Sequence, residues 1–185
     1  EQGVSALKAA ITTKQEGAEV ARQARQLGAQ LAVAYEVSQA PIITPDPTRG
    51  APLYAQNCSV CHGDTGAGDG PAGVGLTPAP ANLRDAARMD HLSLYAIYST
   101  LGQGVEGTDM PAFADQLDDR QRWDLATYIA GFSADPAAAK AEKTYNIADL
   151  ARQTPAEVQA ADGPQAAATF RAQRAQPPQV KRGPA

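Results

Sequence analysis

Apolar residues recur at helical spacing through the first 40 residues of the chain. Val4, Leu7 and Ile11 form one series. A second series begins after Gly17 and runs through Val20, Ala24, Leu27, Leu31 and Ala34. The spacing predicts two helices, and a stripe this regular is more typical of a packing face than of a binding site.

Helical periodicity returns in the middle of the chain, in the stretches RGAPLYAQNCSVCHG, DHLSLYAIYSTLG and LDDRQRWDLATYIAGF. Asp90 is a suitable cap for the second of these helices. Few stretches alternate as strands do, and the loop from Gly63 to Pro80 is rich in glycine and proline. The pattern predicts a small all-α domain with one long irregular loop and too little aliphatic side chain to fill its own core.

The last part of the chain also has a helical pattern. AEKTYNIADLARQ is followed by a capping box, in which Thr154 and Glu157 begin another helix, and by a break at DGP. The closing QPPQVKRGPA is typical of a linker. Proline-rich boundaries at 40–50 and 133–140 divide the chain. We therefore predict a helical extension over 1–40, a domain over 41–135, and a second helical extension with linker over 136–185.

Charge is unevenly distributed along the 185 residues, which carry a net charge of −4. Residues 49–135 have a net charge of −6 and residues 136–185 a net charge of +3. The overall balance gives no reason to expect nucleic acid as a partner. The acidic middle would attract a cationic partner or metal cations, or it is an ordinary solvated surface.

Membrane spans and a secretion signal are not expected from the sequence. No run approaches the roughly 18 apolar residues that span a bilayer. The chain has neither an initiator Met nor the basic and then apolar start of a signal peptide. We expect a soluble, processed or excised piece.

Both cysteines lie in the stretch CSVCH, as Cys58 and Cys61, with His62 directly after them. A thioredoxin-like dithiol needs a βαβ unit, which the pattern does not contain. Structural zinc usually needs four ligands, and there is no third cysteine. A disulfide across so short a loop would stabilise little. The spacing therefore favours covalent attachment of haem c.

Attachment of haem follows from the geometry of one helical turn. Cysteines three positions apart face the same side, so both thiols can add to the vinyl groups of one porphyrin. His62 then lies under the iron as an axial ligand. The macrocycle also supplies apolar volume that the side chains of this domain lack. We predict one covalently attached haem.

The sixth ligand must come from the remaining histidine and methionine residues, which are Met89, His91 and Met110. Met110 lies in a loop between two predicted helices, and Pro111 stiffens the exit of that loop. Met89 and His91 lie at the start of a helix instead. We predict Met110, with His91 as the rival that would lower the reduction potential.

Three stretches together resemble a class I cytochrome c in order and spacing. They are CSVCHGDTGAGDGPAGVGLTPAPANLRD, YSTLGQGVEGTDMPAF and RWDLATYIAGF. The resemblance implies the class I cytochrome c fold over about 48–133, haem held by Cys58 and Cys61, and iron held by His62 and Met110. It also implies that Gly50 and Tyr54 let the first helix cross the last near Trp123 and Tyr128. A carbonyl of Pro78 or Pro80 would accept the second imidazole N–H of His62.

Further haem contacts are weaker expectations. Arg84 would pair with a haem propionate or is an ordinary surface charge. Trp123 would donate its N–H to a propionate or is a core residue. The glycines between Gly66 and Gly75 resemble a nucleotide loop, but no strand precedes them. We expect them to let the backbone pass close to the haem edge.

The flanking segments carry a narrower resemblance. The resemblance is to the periplasmic part of bacterial Ftr-type iron permeases with a fused cytochrome c. It is carried by EVARQARQLGAQLAVAYEV, the proline link, GVEGTDMPAFADQLDDRQRWDLATYIAGF and IADLARQTPAEVQAADG, in that order. In that family, membrane helices with Arg-Glu-x-x-Glu motifs follow this region, and this sequence contains none. The resemblance implies a periplasmic domain tethered to the inner membrane in the full-length protein, with iron ions and a permease domain as partners.

The sequence predicts a single-electron carrier rather than an enzyme, because two axial ligands leave iron with no open position. In the permease setting it would accept electrons from Fe(II) oxidation and pass them to a redox partner protein. The alternative is a free periplasmic cytochrome c that serves a dehydrogenase or terminal oxidase. A haem enzyme or gas sensor with a labile Met110 bond is a third hypothesis.

Overall fold

The computed structural model of the chain describes residues 2–140 and 143–177, and these residues contain helices and no strands. The predicted linker therefore lies outside the described residues from position 178 onward. The helices are α1 (Gln2–Thr12), α2 (Gly17–Ala34), α3 (Pro47–Asn57), α4 (Ser59–His62), α5 (Ala86–Met89), α6 (Leu94–Gln103), α7 (Asp119–Gly131), α8 (Ile147–Arg152), α9 (Pro155–Asp162) and α10 (Pro164–Ala175). The all-α prediction is confirmed.

The described residues form two compact units. The first ends at Gln39 and contains α1 and α2, as the hydrophobic spacing predicts. Here a Cβ on Gly3 would lie 2.8 Å from Leu27 Cδ1, so the two helices touch. Ala10 is buried, whereas Val4 and Leu31 remain exposed. The second unit begins at Ala40 and includes the C-terminal helices as well as the predicted middle domain.

The core of the second unit depends on a close crossing of α3 over α7. A Cβ on Gly50 would lie 2.3 Å from the Asp124 carbonyl oxygen and 2.8 Å from Tyr128 Cβ, so only glycine fits. One turn later the Tyr54 ring lies 5.4 Å from that of Tyr128. Asp124 directly follows Trp123, so the crossing lies near Trp123 and Tyr128, as predicted. The Trp123 ring itself stacks on Tyr98 of α6 at 4.5 Å.

A buried carboxylate also ties α3 to α7. Asp124 is 1% exposed and accepts hydrogen bonds from Arg49 Nε at 2.7 Å and from the Asp46 backbone N–H at 2.7 Å. Asp46 in turn caps α3 by accepting from the Thr48 N–H. A carboxylate is tolerated in such a place when its charge and its hydrogen bonds are satisfied. The start of α3 is thereby fixed against α7.

Short polar side chains begin the later helices. Thr154 and Glu157 form the predicted capping box at α9, and Asp118 with Gln121 forms a second one at α7. The prediction that Asp90 caps α6 is wrong, because the N-cap residue of α6 is Ser93. Asp90 instead forms an ion pair with Arg171 of α10, which joins the C-terminal helices to the middle of the chain.

We predict that Gly50→Ala destabilises the protein by about 1–3 kcal/mol, because the added methyl group overlaps the α7 backbone. Gly131→Ala is the matched control in α7, since its Cβ would meet Ala175 Cβ at an ordinary 3.8 Å. The control is expected to be neutral or to stabilise by up to about 1 kcal/mol. Urea denaturation followed by far-UV circular dichroism checks both values, and equal stability of Gly50→Ala and wild type would contradict the crossing.

Candidate functional site

The two cysteines and the histidine share one helical turn. Cys58 ends α3 and begins α4, and its carbonyl accepts from the N–H of Cys61 at 3.2 Å and of His62 at 2.9 Å. Both cysteines are free thiols, Cys58 buried and Cys61 half-buried. The predicted juxtaposition of two thiols and an imidazole is therefore present in the backbone geometry.

The environment of Cys58 does not suit a redox dithiol. Burial, with a smaller contribution from Cys61, raises the pKa of the Cys58 thiol to about 12. Catalytic dithiols have a lowered pKa, since the thiolate is the reactive form. Cys58 is a protonated thiol at neutral pH. Cys58 is therefore unsuited to be the attacking thiol of a redox pair.

The imidazole of His62 is oriented by a backbone carbonyl. Its Nδ1 lies 3.0 Å from the carbonyl oxygen of Ala81. A carbonyl only accepts, so Nδ1 carries the proton and Nε2 keeps its lone pair for a metal. The predicted acceptor was Pro78 or Pro80; the structure corrects this to Ala81. The proline-rich stretch placed the acceptor only approximately, because the loop conformation decides which carbonyl faces the ring.

The turn of residues 58–62, which carries the two thiols and the imidazole, is called the attachment turn after its predicted role. The glycine-rich loop that follows it packs on α4. Gly68 donates its N–H to the His62 carbonyl at 2.8 Å, and Gly70 donates to the Cys61 carbonyl at 3.1 Å. A Cβ on Gly70 would lie 2.5 Å from the Val60 carbonyl oxygen. The loop thus satisfies the free carbonyls at the end of α4. Gly70 permits a close approach to the α4 backbone, whereas a Cβ on Gly68 would lie 2.7 Å from the Pro80 carbonyl oxygen. The approach of these glycines to haem stays a prediction.

An aromatic cluster supports the start of this loop. The buried Tyr54 hydroxyl donates to the Gly63 carbonyl at 2.8 Å. The Phe132 ring lies 4.9 Å from Tyr54, and a Cβ on Gly66 would lie 2.9 Å from that ring. Residues of α3 and α7 therefore hold the chain where it leaves the attachment turn.

Met110 lies in a tight loop between α6 and α7. Gly104 has a φ of 71°, and the Met110 carbonyl accepts from the Val105 N–H at 3.1 Å. The Met110 N–H donates to Thr108 Oγ1 at 3.2 Å. The half-buried Met110 side chain packs against the same hydrophobic core that contains Cys58. The loop is closed by its own hydrogen bonds, and the Met110 side chain packs against the core cluster that includes Cys58.

The rival ligands lie in different environments. The Met89 side chain is 0% exposed within the core, which gives it a packing role. His91 is exposed in the turn after α5. Met110 as the sixth ligand, with His91 as its rival, stays a prediction.

The remaining predicted contacts are mixed. Trp123 is buried and packs between aromatic rings, including Tyr95 at 6.3 Å. Arg84 is exposed, and Pro80 is half-buried with its ring next to Gly73. The role of Pro80, Arg84 and Trp123 as haem contacts stays a prediction.

The donor chemistry of this site fits haem c. Two thiols on one turn suit two thioether bonds, and His62 presents Nε2 because Nδ1 is engaged. Imidazole with thioether is the axial pair of many electron-transfer haem proteins. In the described residues, no group of three or more His, Cys, Asp and Glu side chains is placed to hold a metal ion. None of the helices described for this chain has the length and apolar character needed to cross a membrane.

Comparison with known proteins places the match over the middle of the chain. Residues 45–129 match the family described as cytochrome c oxidase, cbb3-type, subunit III. The chain is 36% identical over 81 residues to the cbb3-type cytochrome c oxidase subunit CcoP of Azospirillum sp., covering 44% of this chain and 27% of that protein. It is 32% identical over 105 residues to subunit FixPc of Rhizobium leguminosarum, covering 51% and 34%.

A smaller relative is matched over most of its length. Cytochrome c6 of Nostoc sp. is 28% identical over 92 residues, which cover 49% of this chain and 75% of that protein. The chain spans 27% and 34% of the length of the two oxidase subunits. With the attachment turn and the all-α fold, these matches support a cytochrome c domain of class I type over residues 45–129. Helices α1, α2 and α8 to α10 lie outside the matched range.

Alkaline stability tests the burial of Tyr54. Burial raises the pKa of this phenol above its ordinary value of about 10. The unfolded chain therefore loses the proton first, and stability falls as pH rises beyond about 10. Tyr54→Phe is expected to cost about 1 kcal/mol at neutral pH, through the lost bond to Gly63, and to lose less stability than wild type between about pH 8 and about pH 11.

The control for this experiment is Tyr35→Phe, because Tyr35 is 75% exposed. Urea denaturation at the two pH values should give the control and wild type the same loss. Equal losses in Tyr54→Phe and wild type would contradict the assignment.

Proposed function

We propose that this chain is a monohaem c-type cytochrome that carries single electrons. The observation that supports this most is the turn at 58–62, where two free thiols accompany an imidazole whose Nδ1 is held by the Ala81 carbonyl. One attachment pair in the sequence corresponds to one haem.

Each residue of the site has a distinct task. Cys58 and Cys61 would hold the haem through thioether bonds, and His62 and Met110 would ligate its iron. The bound haem supplies reversible one-electron chemistry at iron. Ala81 keeps the proton on Nδ1 of His62, which fixes the ring and strengthens it as a ligand. With both axial positions filled, no position is left for a substrate, so electron transfer is favoured over catalysis.

The cellular location follows from how the thioether bonds are made. Their formation needs reduced thiols and attachment machinery on the export side of the membrane. We therefore assign the mature domain to the periplasm or its equivalent outside the cytoplasm.

The biological setting has two candidates. The flanking stretches that resemble iron permease fusions, residues 19–37 and 147–163, contain most of α2 and all of α8 and α9, outside the matched range. In such a fusion the domain would accept electrons from Fe(II) oxidation. The names of the curated relatives support the alternative, a cytochrome that serves a terminal oxidase or dehydrogenase. Sequencing the gene beyond residue 185 separates them: apolar spans continuing in frame support the permease, and a stop codon supports the free carrier.

The sixth ligand is tested by Met110→Ala. We expect the variant to keep its covalent haem, to open the iron to carbon monoxide, and to have a lower reduction potential, because a thioether ligand raises the potential. Potentiometric titration with visible spectroscopy measures each of these effects.

Two control variants accompany this test. Met89→Leu conserves volume at a buried position and should retain the wild-type potential, and His91→Ala should do the same. If Met110→Ala matched wild type in spectrum and potential, the assignment would be wrong. Opening of the iron in His91→Ala would establish the rival ligand.

The two segments that carry the proposed axial ligands predict the charge of the surface through which a redox partner would dock. Residues 50–83 and 104–117 contain no Lys or Arg, and their acidic residues are exposed: Asp64, Asp69, Glu106, Asp109 and Asp115. If His62 and Met110 both ligate the iron, the two segments would border the same haem. A redox partner with a basic docking face therefore fits this cytochrome.

Small redox reagents test this charge. Raising the ionic strength should slow electron transfer to the cation tris(phenanthroline)cobalt(III) and accelerate it to ferricyanide, because salt screens attraction and repulsion alike. Asp64→Asn with Asp109→Asn should weaken both dependences. Asp149→Asn with Asp162→Asn, in α8 and α9 of the same unit and outside both segments, changes the net charge equally and should alter them less. Stopped-flow rates that respond equally to both pairs would contradict an acidic face at the haem.

A further inference from the structure

Two of the C-terminal helices, α9 and α10, contact one turn of the cytochrome domain, residues 89–92. Arg174 of α10 is 0% exposed and donates from Nη1 to the Leu92 carbonyl at 2.6 Å and from Nη2 to the Met89 carbonyl at 3.2 Å. Arg171, one turn earlier, donates from Nε to Asp90 Oδ1 at 2.6 Å and pairs with Oδ2 through Nη2. Both guanidinium groups are thus directed at the same turn.

A backbone hydrogen bond from α9 adds to these side-chain contacts. The N–H of Ala156, in the first turn of α9, donates to the Asp90 carbonyl at 3.0 Å. The turn is therefore held by two helices of the extension, through carbonyl oxygens as well as through the Asp90 carboxylate.

The contacts of Arg174 carry a desolvation cost. Burial lowers the pKa of its guanidinium to about 10, and its Nε has no hydrogen-bond partner among the described residues. It remains a cation at neutral pH, and its bonds to carbonyls at the end of α5 are favourable there. A buried charge is retained at a cost in desolvation, which indicates a specific positional role.

A short run of hydrogen bonds leads from this turn to the axial histidine. α5 is capped by Asp85, whose side chain accepts from the Ala87 N–H and whose own N–H donates to the Asn82 carbonyl at 3.3 Å. Asn82 directly follows Ala81, the residue whose carbonyl faces His62 Nδ1. On the other side, Leu83 donates its N–H to the Gly66 carbonyl at 2.7 Å.

We propose that Arg171 and Arg174 are positioning residues for His62: by fixing residues 89–92, the C-terminal helices hold the Ala81 carbonyl against Nδ1. This role rests on the proposed function, in which His62 ligates the haem iron. When the N–H···O=C bond loosens, the imidazole becomes a weaker donor and stabilises ferric iron less. The reduction potential then rises.

The test breaks the ion pair without changing net charge. In the full-length haem protein, Asp90→Asn with Arg171→Gln should speed solvent exchange of the His62 Nδ1 proton by about tenfold or more, as measured by NMR on the reduced form, and should raise the potential. Arg171→Lys keeps a cation at this position and should restore most of the wild-type behaviour.

The matched control is Lys143→Met with Asp162→Asn. It also removes one ion pair of the same extension at constant net charge, and that pair, with Nζ to Oδ2 at 2.6 Å, does not involve residues 89–92. Both readouts should stay at wild-type values. Equal readouts in the test variant and the control would overturn the positioning role.

Hydrogen exchange on the wild-type protein gives the same answer without a variant. In low denaturant, the His62 Nδ1 proton should exchange through the same opening, with the same denaturant dependence, as the amides of α10. If the amides of α10 exchange through a local opening and the His62 Nδ1 proton exchanges only through global unfolding, the positioning role is overturned. Absence of covalent haem in the wild-type protein would instead overturn the proposed function itself.

Discussion

The hydrogen bond between Nδ1 of His62 and the carbonyl of Ala81 gives the attachment turn its chemical direction. Without it, neither the position of the ring proton nor the orientation of the imidazole would be fixed by this carbonyl. With it, the proton stays on one nitrogen and the lone pair of the other is presented to a metal. The thiols of Cys58 and Cys61, on the same turn, suit covalent attachment of a porphyrin, so the metal would be haem iron.

Much of the second unit can be understood as support for this bond. The α3–α7 crossing at Gly50 and the ion pair between Arg49 and Asp124 place the end of α3, and hence Cys58. The glycine-rich loop caps the carbonyls of α4 before it returns with Ala81. The loop around Met110 joins the same core by its own local hydrogen bonds.

Local patterns in the sequence predicted a large part of this arrangement. Hydrophobic spacing located the helices, the box at Thr154 located α9, and the CSVCH stretch placed thiols and imidazole on one turn. Each of these depends on residues a few positions apart. The observed acceptor for His62 is Ala81, one residue after the predicted Pro80. A proline-rich composition does not determine which carbonyl of a loop faces the ring.

The contacts that sequence reasoning missed join distant parts of the chain. Arg49 meets Asp124, and Arg171 meets Asp90, across 75 and 81 positions. A charged residue in a helical pattern gives no sign of whether it faces solvent or a buried partner. Asp90 preceded an apolar run and so resembled a cap, although tertiary packing assigns it to α10.

Intact mass spectrometry under denaturing conditions tests the central claim most directly. Expressed with the c-type maturation machinery, the chain should gain the mass of one haem and keep it through denaturation, with fragments locating the haem on Cys58 and Cys61. The double variant Cys58→Ala with Cys61→Ala should show the mass of the polypeptide alone. A wild-type chain of bare polypeptide mass, made where a known c-type cytochrome is matured, would contradict the account.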